Sequence, residues 1–267
     1  MRQKLYKYNI KSEKNPNHNV DPSPWPILVS FSILQLVLSL IYYFSTSNYY
    51  LFLFSLLQFS FYLLNWFFSV VIESTFEGNH TMIIQKNIHL AMLLFITTEI
   101  VFFASFFASF FYYSMFPSIW IGCTWPPVGI QIIDPFSLPL FNTVILLSSG
   151  ISITYAHSMI IDGDYLKLNS ALLITISLGI LFLFVQYFEY NYSQFSIEDS
   201  VYGSTFYLLT GFHGLHVLVG LLFLIICFYR ALNYHFTQEQ HVGLECAIWY
   251  WHFVDIVWFF LYLFLYH

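Results

Sequence analysis

Seven largely apolar stretches divide the chain, near 26–44, 49–72, 88–116, 139–161, 170–192, 203–229 and 244–266. Each reaches the length of about 20 residues that lets a helix cross a hydrocarbon core. Ten-residue segments of alternating apolar and polar positions, the mark of a membrane barrel, do not occur. Helices are then the way to satisfy the backbone in lipid, and an all-α membrane protein with seven transmembrane helices is predicted. The third stretch, Ile88 to Phe116, has 29 residues. At 1.5 Å per residue it spans roughly 43 Å, so it must tilt or project beyond the membrane.

The polar intervals organise these spans. Residues 1–24 form an inner-side tail ending in the proline-rich DPSPWP, which sets an extended entry to the first span with Trp25 at the interface. Residues 25–72 make a two-helix hairpin, because the uncharged link Ser45 to Asn48 is too short for anything but antiparallel neighbours. Residues 73–87, beginning ESTFEGNHT, are a polar connector and a candidate hinge between two helical groups; residues 88–267 hold the other five spans. A loop rich in proline and tryptophan, from Pro117 to Pro139, suits the headgroup region or a protein surface.

Charge then orients the array. The basic residues are Arg2, Lys4, Lys7, Lys11, Lys14, Lys86, Lys167 and Arg230, and with seven spans all fall on the side of the N-terminus. The positive-inside rule puts the N-terminus inside and the C-terminus outside, and supports the span count. Composition agrees, with 58% hydrophobic and 8% charged residues. That excludes a soluble domain, and no nucleic-acid partner is expected. Three cysteines, Cys123, Cys227 and Cys246, lack the spacing of a disulfide framework or metal knuckle. Abundant Phe, Tyr, Ile and Asn suit an AT-rich organellar coding sequence, and the chain opens on Met1, so no removed presequence is expected.

Against this background a few polar residues stand out. Glu99 sits mid-span, where a charged side chain costs roughly 2.5 to 3.5 kcal/mol on insertion scales, so it must be neutralised, paired or set against protein or water. It is either a protonated acid hydrogen-bonded to a neighbouring helix or a group that handles protons for a partner. Below it, Ala104, Ser105, Ala108 and Ser109 offer small side chains to an approaching helix. Span four, with Ser148, Ser149, Gly150, Ser152 and Thr154, reads as a buried helix interface, and its His157 as a half-solvated group near the inner end. Glu189 reads as an exposed acid at the outer end of span five. In span six, His213 and His216 lie on one face among Gly211, Gly214 and Gly220, with Arg230 closing the helix; an anionic headgroup fits there, and a metal would need a further ligand. Glu73 and His80 contact headgroups or a partner, or are ordinary connector residues. In span seven Glu245, Trp249, His252 and Asp255 make a stripe that must face protein, with His252 and Asp255 either a proton relay or a neutral hydrogen-bonded pair. No catalytic residue and no metal site is expected in this chain.

The segments VDPSPWP, ESTFEGNHT, TEIVFF around Glu99, TWPPVGI, NTVILLSSGISITYAH, VYGSTFYLLTGFHGLHVLVG and ECAIWYWHFVDIVWFFLY resemble, in order, subunit III of the mitochondrial cytochrome c oxidases. The match runs from about Val20 onward. The resemblance implies a two-helix hairpin splayed from a five-helix bundle, with phospholipids in the cleft between them. It implies a noncatalytic core subunit of a proton-pumping terminal oxidase that passes electrons from cytochrome c to dioxygen. Such a subunit binds no haem or copper, which lie in partner subunits. It packs on subunit I, stabilises it and supports proton uptake, in the mitochondrial inner membrane with the N-terminus in the matrix and the C-terminus in the intermembrane space. It further implies Glu99 as the accessory carboxylate, and Glu73, His213, His216 and Arg230 at or near the lipid cleft. The segment WFFSVVI before Glu73 lacks the charged residues of many relatives. A stand-alone proton or lipid transporter is the alternative; it is opposed by the lack of an inverted repeat or of a span broken midway by proline.

Overall fold

The computed structural model describes Val20 and residues 22–266; the lysines and arginine of the tail, with Asp21, lie outside them. Seven long helices follow: α1 (Trp25–Thr46), α2 (Tyr50–Thr75), α3 (Met82–Met115), α4 (Leu138–Asp162), α5 (Tyr165–Tyr192), α6 (Ser200–Leu232) and α7 (Val242–Leu265). All seven are long and apolar enough to cross a membrane, and the described residues contain no strand.

Local chemistry sets the ends. Helix α1 starts at Trp25 with Pro26 in its first turn, where a missing N–H costs no hydrogen bond. It stops at Ser47, whose left-handed backbone donates its N–H to the Tyr43 carbonyl. Asp164 caps α5, its Oδ1 accepting from the Lys167 N–H at 3.2 Å. The connector is shorter than expected, because α2 runs to Thr75 and α3 already begins at Met82. Gln85 and Lys86 are good helix formers, so polarity there ends the apolar run without ending the helix. With 34 residues, α3 is about 51 Å long.

The chain divides into two compact units, one running to Asn87 and one from Ile88. In the first, α1 and α2 form an antiparallel pair whose contact includes Ser39 and Ser55, both 1% exposed, with hydroxyls 2.6 Å apart.

In the second, α4, α5, α6 and α7 close a ring, each touching the next and α7 touching α4. Its centre is Trp251 and Trp258, both fully buried. Trp251 donates its indole N–H to Ser149 Oγ at 2.9 Å, and Trp258 to Thr143 Oγ1 at 3.0 Å. These hydroxyls give their own protons back to the carbonyls of Leu146 and Pro139, so their lone pairs are free for the indoles. The small residues of span four thus do form a buried interface; Ser152 and Thr175 extend it to α5 at 2.8 Å. Trp251 needs the bare surface of Gly179, where an added Cβ would lie 2.7 Å from the indole.

Helix α3 meets α6 and α7 mainly through large aromatic side chains, such as Phe102 against Phe212 and Phe95 against Tyr250. Large side chains hold the helix axes apart. The expected close approach at Ala104, Ser105, Ala108 and Ser109 is not made inside the five-helix unit: all four are exposed, and phenylalanines occupy the inward positions. Likewise, a Cβ on Gly211 or Gly214 would meet nothing within 4 Å, whereas Gly220 does admit a neighbour, the rings of Trp251 and Tyr250.

Candidate functional site

Glu99 projects from the middle of α3 and meets His216 of α6, with Oε2 2.8 Å from Nε2. The other ring nitrogen of His216, Nδ1, is 2.6 Å from the Phe212 carbonyl oxygen. A carbonyl only accepts, so Nδ1 carries a proton. The Glu99 contact then holds one further proton, either on the carboxyl against a neutral ring or on the ring against a carboxylate. Both arrangements have zero net charge, which removes most of the cost of an intramembrane acid. The rings of Phe103, Tyr250 and Phe253 surround His216 and keep the contact largely dry.

The two span-six histidines part company. His213 is 1% exposed, its Nε2–H donating to the Val254 carbonyl at 3.2 Å, its ring set between Phe182 and Trp258. It offers no surface for direct contact with a headgroup and lies in the interior of the five-helix unit. Arg230 lays its guanidinium over the Phe236 ring, 4.4 Å from the centroid, and against Gly243 at the start of α7. Glu73, in the last turn of α2, and His80, in the connector, are half-buried in the first unit.

Glu189 is not the exposed acid expected: it is 2% exposed. Its Oε1 accepts from the Tyr266 hydroxyl at 2.5 Å and from Gln186 at 3.2 Å, and Gln186 in turn accepts from Asn142. The Tyr266 hydroxyl, from the far end of the sequence, draws the carboxyl inward.

On α7, His252 and Asp255 lie in an apolar groove of about 880 Å³ with Thr154, Ile151 and Phe259. His252 Nε2 reaches Thr154 Oγ1 at 3.3 Å, and its Nδ1 stands 3.8 Å from Asp255 Oδ2, too far for a hydrogen bond. The pair shares one helix, so it does not bridge two. Asp255 Oδ1 is buried and accepts no hydrogen bond from the described residues.

Glu245, expected only as an interhelical polar group, is the focus of a cluster that sequence reasoning missed. His89 Nε2 lies 2.5 Å from one carboxylate oxygen; His241 Nε2 at 3.2 Å and His157 Nε2 at 3.8 Å face the other. Only the i, i+4 spacing of His241 and Glu245 hinted at it.

The comparisons with known proteins bear on the whole chain. The family model described as cytochrome c oxidase subunit III matches residues 15–267. The chain belongs to the cytochrome c oxidase subunit III family. It is 47% identical over 249 residues to cytochrome c oxidase subunit 3 of Phoca vitulina, covering 93% of this chain and 95% of the relative. The subunit 3 of Mus musculus is also 47% identical over 249 residues. That of Paracentrotus lividus is 46% identical over 257 residues, covering 96% of this chain and 98% of the relative. The resemblance carried by the segments around Glu99, Trp125, His213 and Trp251 is borne out. Membership makes the chain a multi-pass membrane subunit of cytochrome c oxidase, with other oxidase subunits as its companions.

Proposed function

We propose that the chain is a noncatalytic core subunit of a proton-pumping terminal oxidase of the mitochondrial inner membrane, which passes electrons from cytochrome c to dioxygen. It packs on subunit I, steadies that subunit during turnover and supports its proton uptake. Haem and copper belong to the partner subunits, and phospholipids are structural constituents. The N-terminus faces the matrix and the C-terminus the intermembrane space, as the one-sided placement of basic residues favours.

The observation that carries this reading is the family match over nearly the whole chain. The geometry supports it. The intramembrane acids Glu99 and Glu189 each have a partner inside the five-helix unit, as suits groups that stabilise or modulate more than they conduct. Isolation from membranes in mild detergent tests the proposal: the chain should travel with a haem-bearing partner and its visible spectrum. A protein that runs alone, without haem in its fractions, would overturn it.

A further inference from the structure

The carboxylate of Glu245 is surrounded by three imidazoles: His89 at the end of the second turn of α3, His157 near the end of α4, and His241 just before α7. We propose that His89, His157, His241 and Glu245 bind one divalent transition-metal ion, zinc being the ion their donor set fits. The site is independent of the oxidase reading above and uses none of the haem or copper of the partners.

Geometry is the first support. Nε2 of His157, Nε2 of His241 and a Glu245 oxygen lie within 4.8 Å of one another, and His89 Nε2 already touches the second oxygen. A tetrahedral zinc with bonds of about 2.0–2.1 Å holds its donor atoms about 3.3 Å apart. His157, His241 and Glu245 need to close by about 1.5 Å at most, a distance on the scale of side-chain rotation, and His89 stands against the same carboxylate.

The outer partners are the second support. His241 Nδ1 lies 3.0 Å from the Thr237 carbonyl oxygen, so it bears the proton and turns Nε2 toward Glu245. A backbone carbonyl on the far nitrogen is how metal-binding histidines are held in place. His157 Nε2 is buried and takes no hydrogen bond, an imidazole nitrogen stripped of water beside a carboxylate. Its ring stands edge-on to that of His241.

Charge is the third. Three imidazole nitrogens converge on the Glu245 carboxylate, and an imidazole nitrogen without a proton offers a lone pair. Lone pairs aimed at a carboxylate repel it; a divalent cation between them turns that repulsion into coordination. Three imidazole nitrogens and one carboxylate oxygen suit zinc, with copper the competitor, whereas magnesium and calcium require oxygen ligands. Glu245 and His89 are a quarter exposed, so an ion can enter from water. Once bound, it would tie α3 to α4 and α7.

The test uses the purified, chelator-washed oxidase complex that contains this chain. Crystals soaked in zinc chloride should show a zinc-edge anomalous peak among these four side chains, and soaking in magnesium chloride should leave the position unfilled. Equilibrium dialysis with radioactive zinc should show one site fewer, or that site weakened beyond the ~10–100-fold that loss of an outer-shell partner costs, in His157→Gln and Glu245→Gln complexes. The wild-type peak needs no variant to fold. Absence of that peak, or variants that assemble and bind zinc as the wild type does, would sink the proposal.

Discussion

Glu99 of α3 and His216 of α6 share one proton across 2.8 Å, and the Phe212 carbonyl fixes which nitrogen of the ring takes part. A glutamine at position 99 can donate its amide N–H to a neutral Nε2 and keep the contact; an alanine cannot. Interhelical hydrogen bonds in membranes average about 0.6 kcal/mol and reach about 1.7. Glu99→Gln should therefore destabilise by no more than the average, and Glu99→Ala by up to the larger value, read as thermal inactivation of the assembled complex.

The same Glu99→Gln complex should go on reducing oxygen while taking up protons more slowly or inactivating faster during turnover. Stopped-flow recording with a pH indicator and the decay of oxygen consumption measure the two effects. Complete loss of oxygen reduction in a fully assembled complex would contradict a supporting role.

Gly179 and Gly211 should respond oppositely to alanine. A Cβ at Gly179 would lie 2.6 Å from Leu221 Cδ1 and 2.7 Å from the Trp251 ring, neither free to move in the packed ring of helices. Overpacking of this kind costs about 1–3 kcal/mol. Gly211 has nothing within 4 Å, so Gly211→Ala gains up to about 1 kcal/mol of helix propensity. Unfolding in detergent compares them; a destabilised Gly211→Ala complex would reveal another subunit packed on that face.

Trp251→Phe and Ser149→Ala remove the two ends of one buried bond, and the double variant separates that bond from the loss of ring volume. The coupling between them is expected at about 0.6–1.7 kcal/mol in a thermal-stability cycle. Additive effects would show that the indole N–H gains nothing from its hydroxyl.

Asp164 lies outside the spans and is paired with Lys167, whose ammonium is 2.9 Å from its carboxylate. That hydrogen bond, with the Lys167 backbone N–H, holds the carboxyl below its usual range. A depressed folded value means stability that is present above the ordinary carboxylate range and lost as pH falls through and below it. The effect is small at so exposed a site. The Tm of the wild type should fall toward, and not diverge from, that of Asp164→Asn as the solution is acidified.

The sequence made the spans legible because hydropathy alone decides them, and Glu99 stood out because an acid amid phenylalanines has no ordinary reason to be there. Its partner was visible only as half of a histidine pair, since His216 is 117 residues away. The His213 and His216 spacing suggested a common role, yet one ring turns into the bundle and the other toward α3. Glu189 looked exposed because Tyr266, its donor, follows 77 residues later. The cluster around Glu245 was hidden for the same reason: its histidines come from α3, α4 and the residue before α7, and near a helix end each one taken singly is commonplace.

Helix α7 fills the place between α4 and α6, carrying both buried tryptophans to hydroxyls and a bare glycine already present on α4 and α5. It also follows α1 to α6 in the chain, so it leaves the ribosome after them. Until it is made, the nascent chain has a slot in the bilayer lined by hydroxyls whose lone pairs have no donor, shaped for two indoles that have not yet been made. Maturation of the bundle therefore waits on a single late insertion, and translation that stalls before Trp251 leaves an open ring, not a slightly smaller protein.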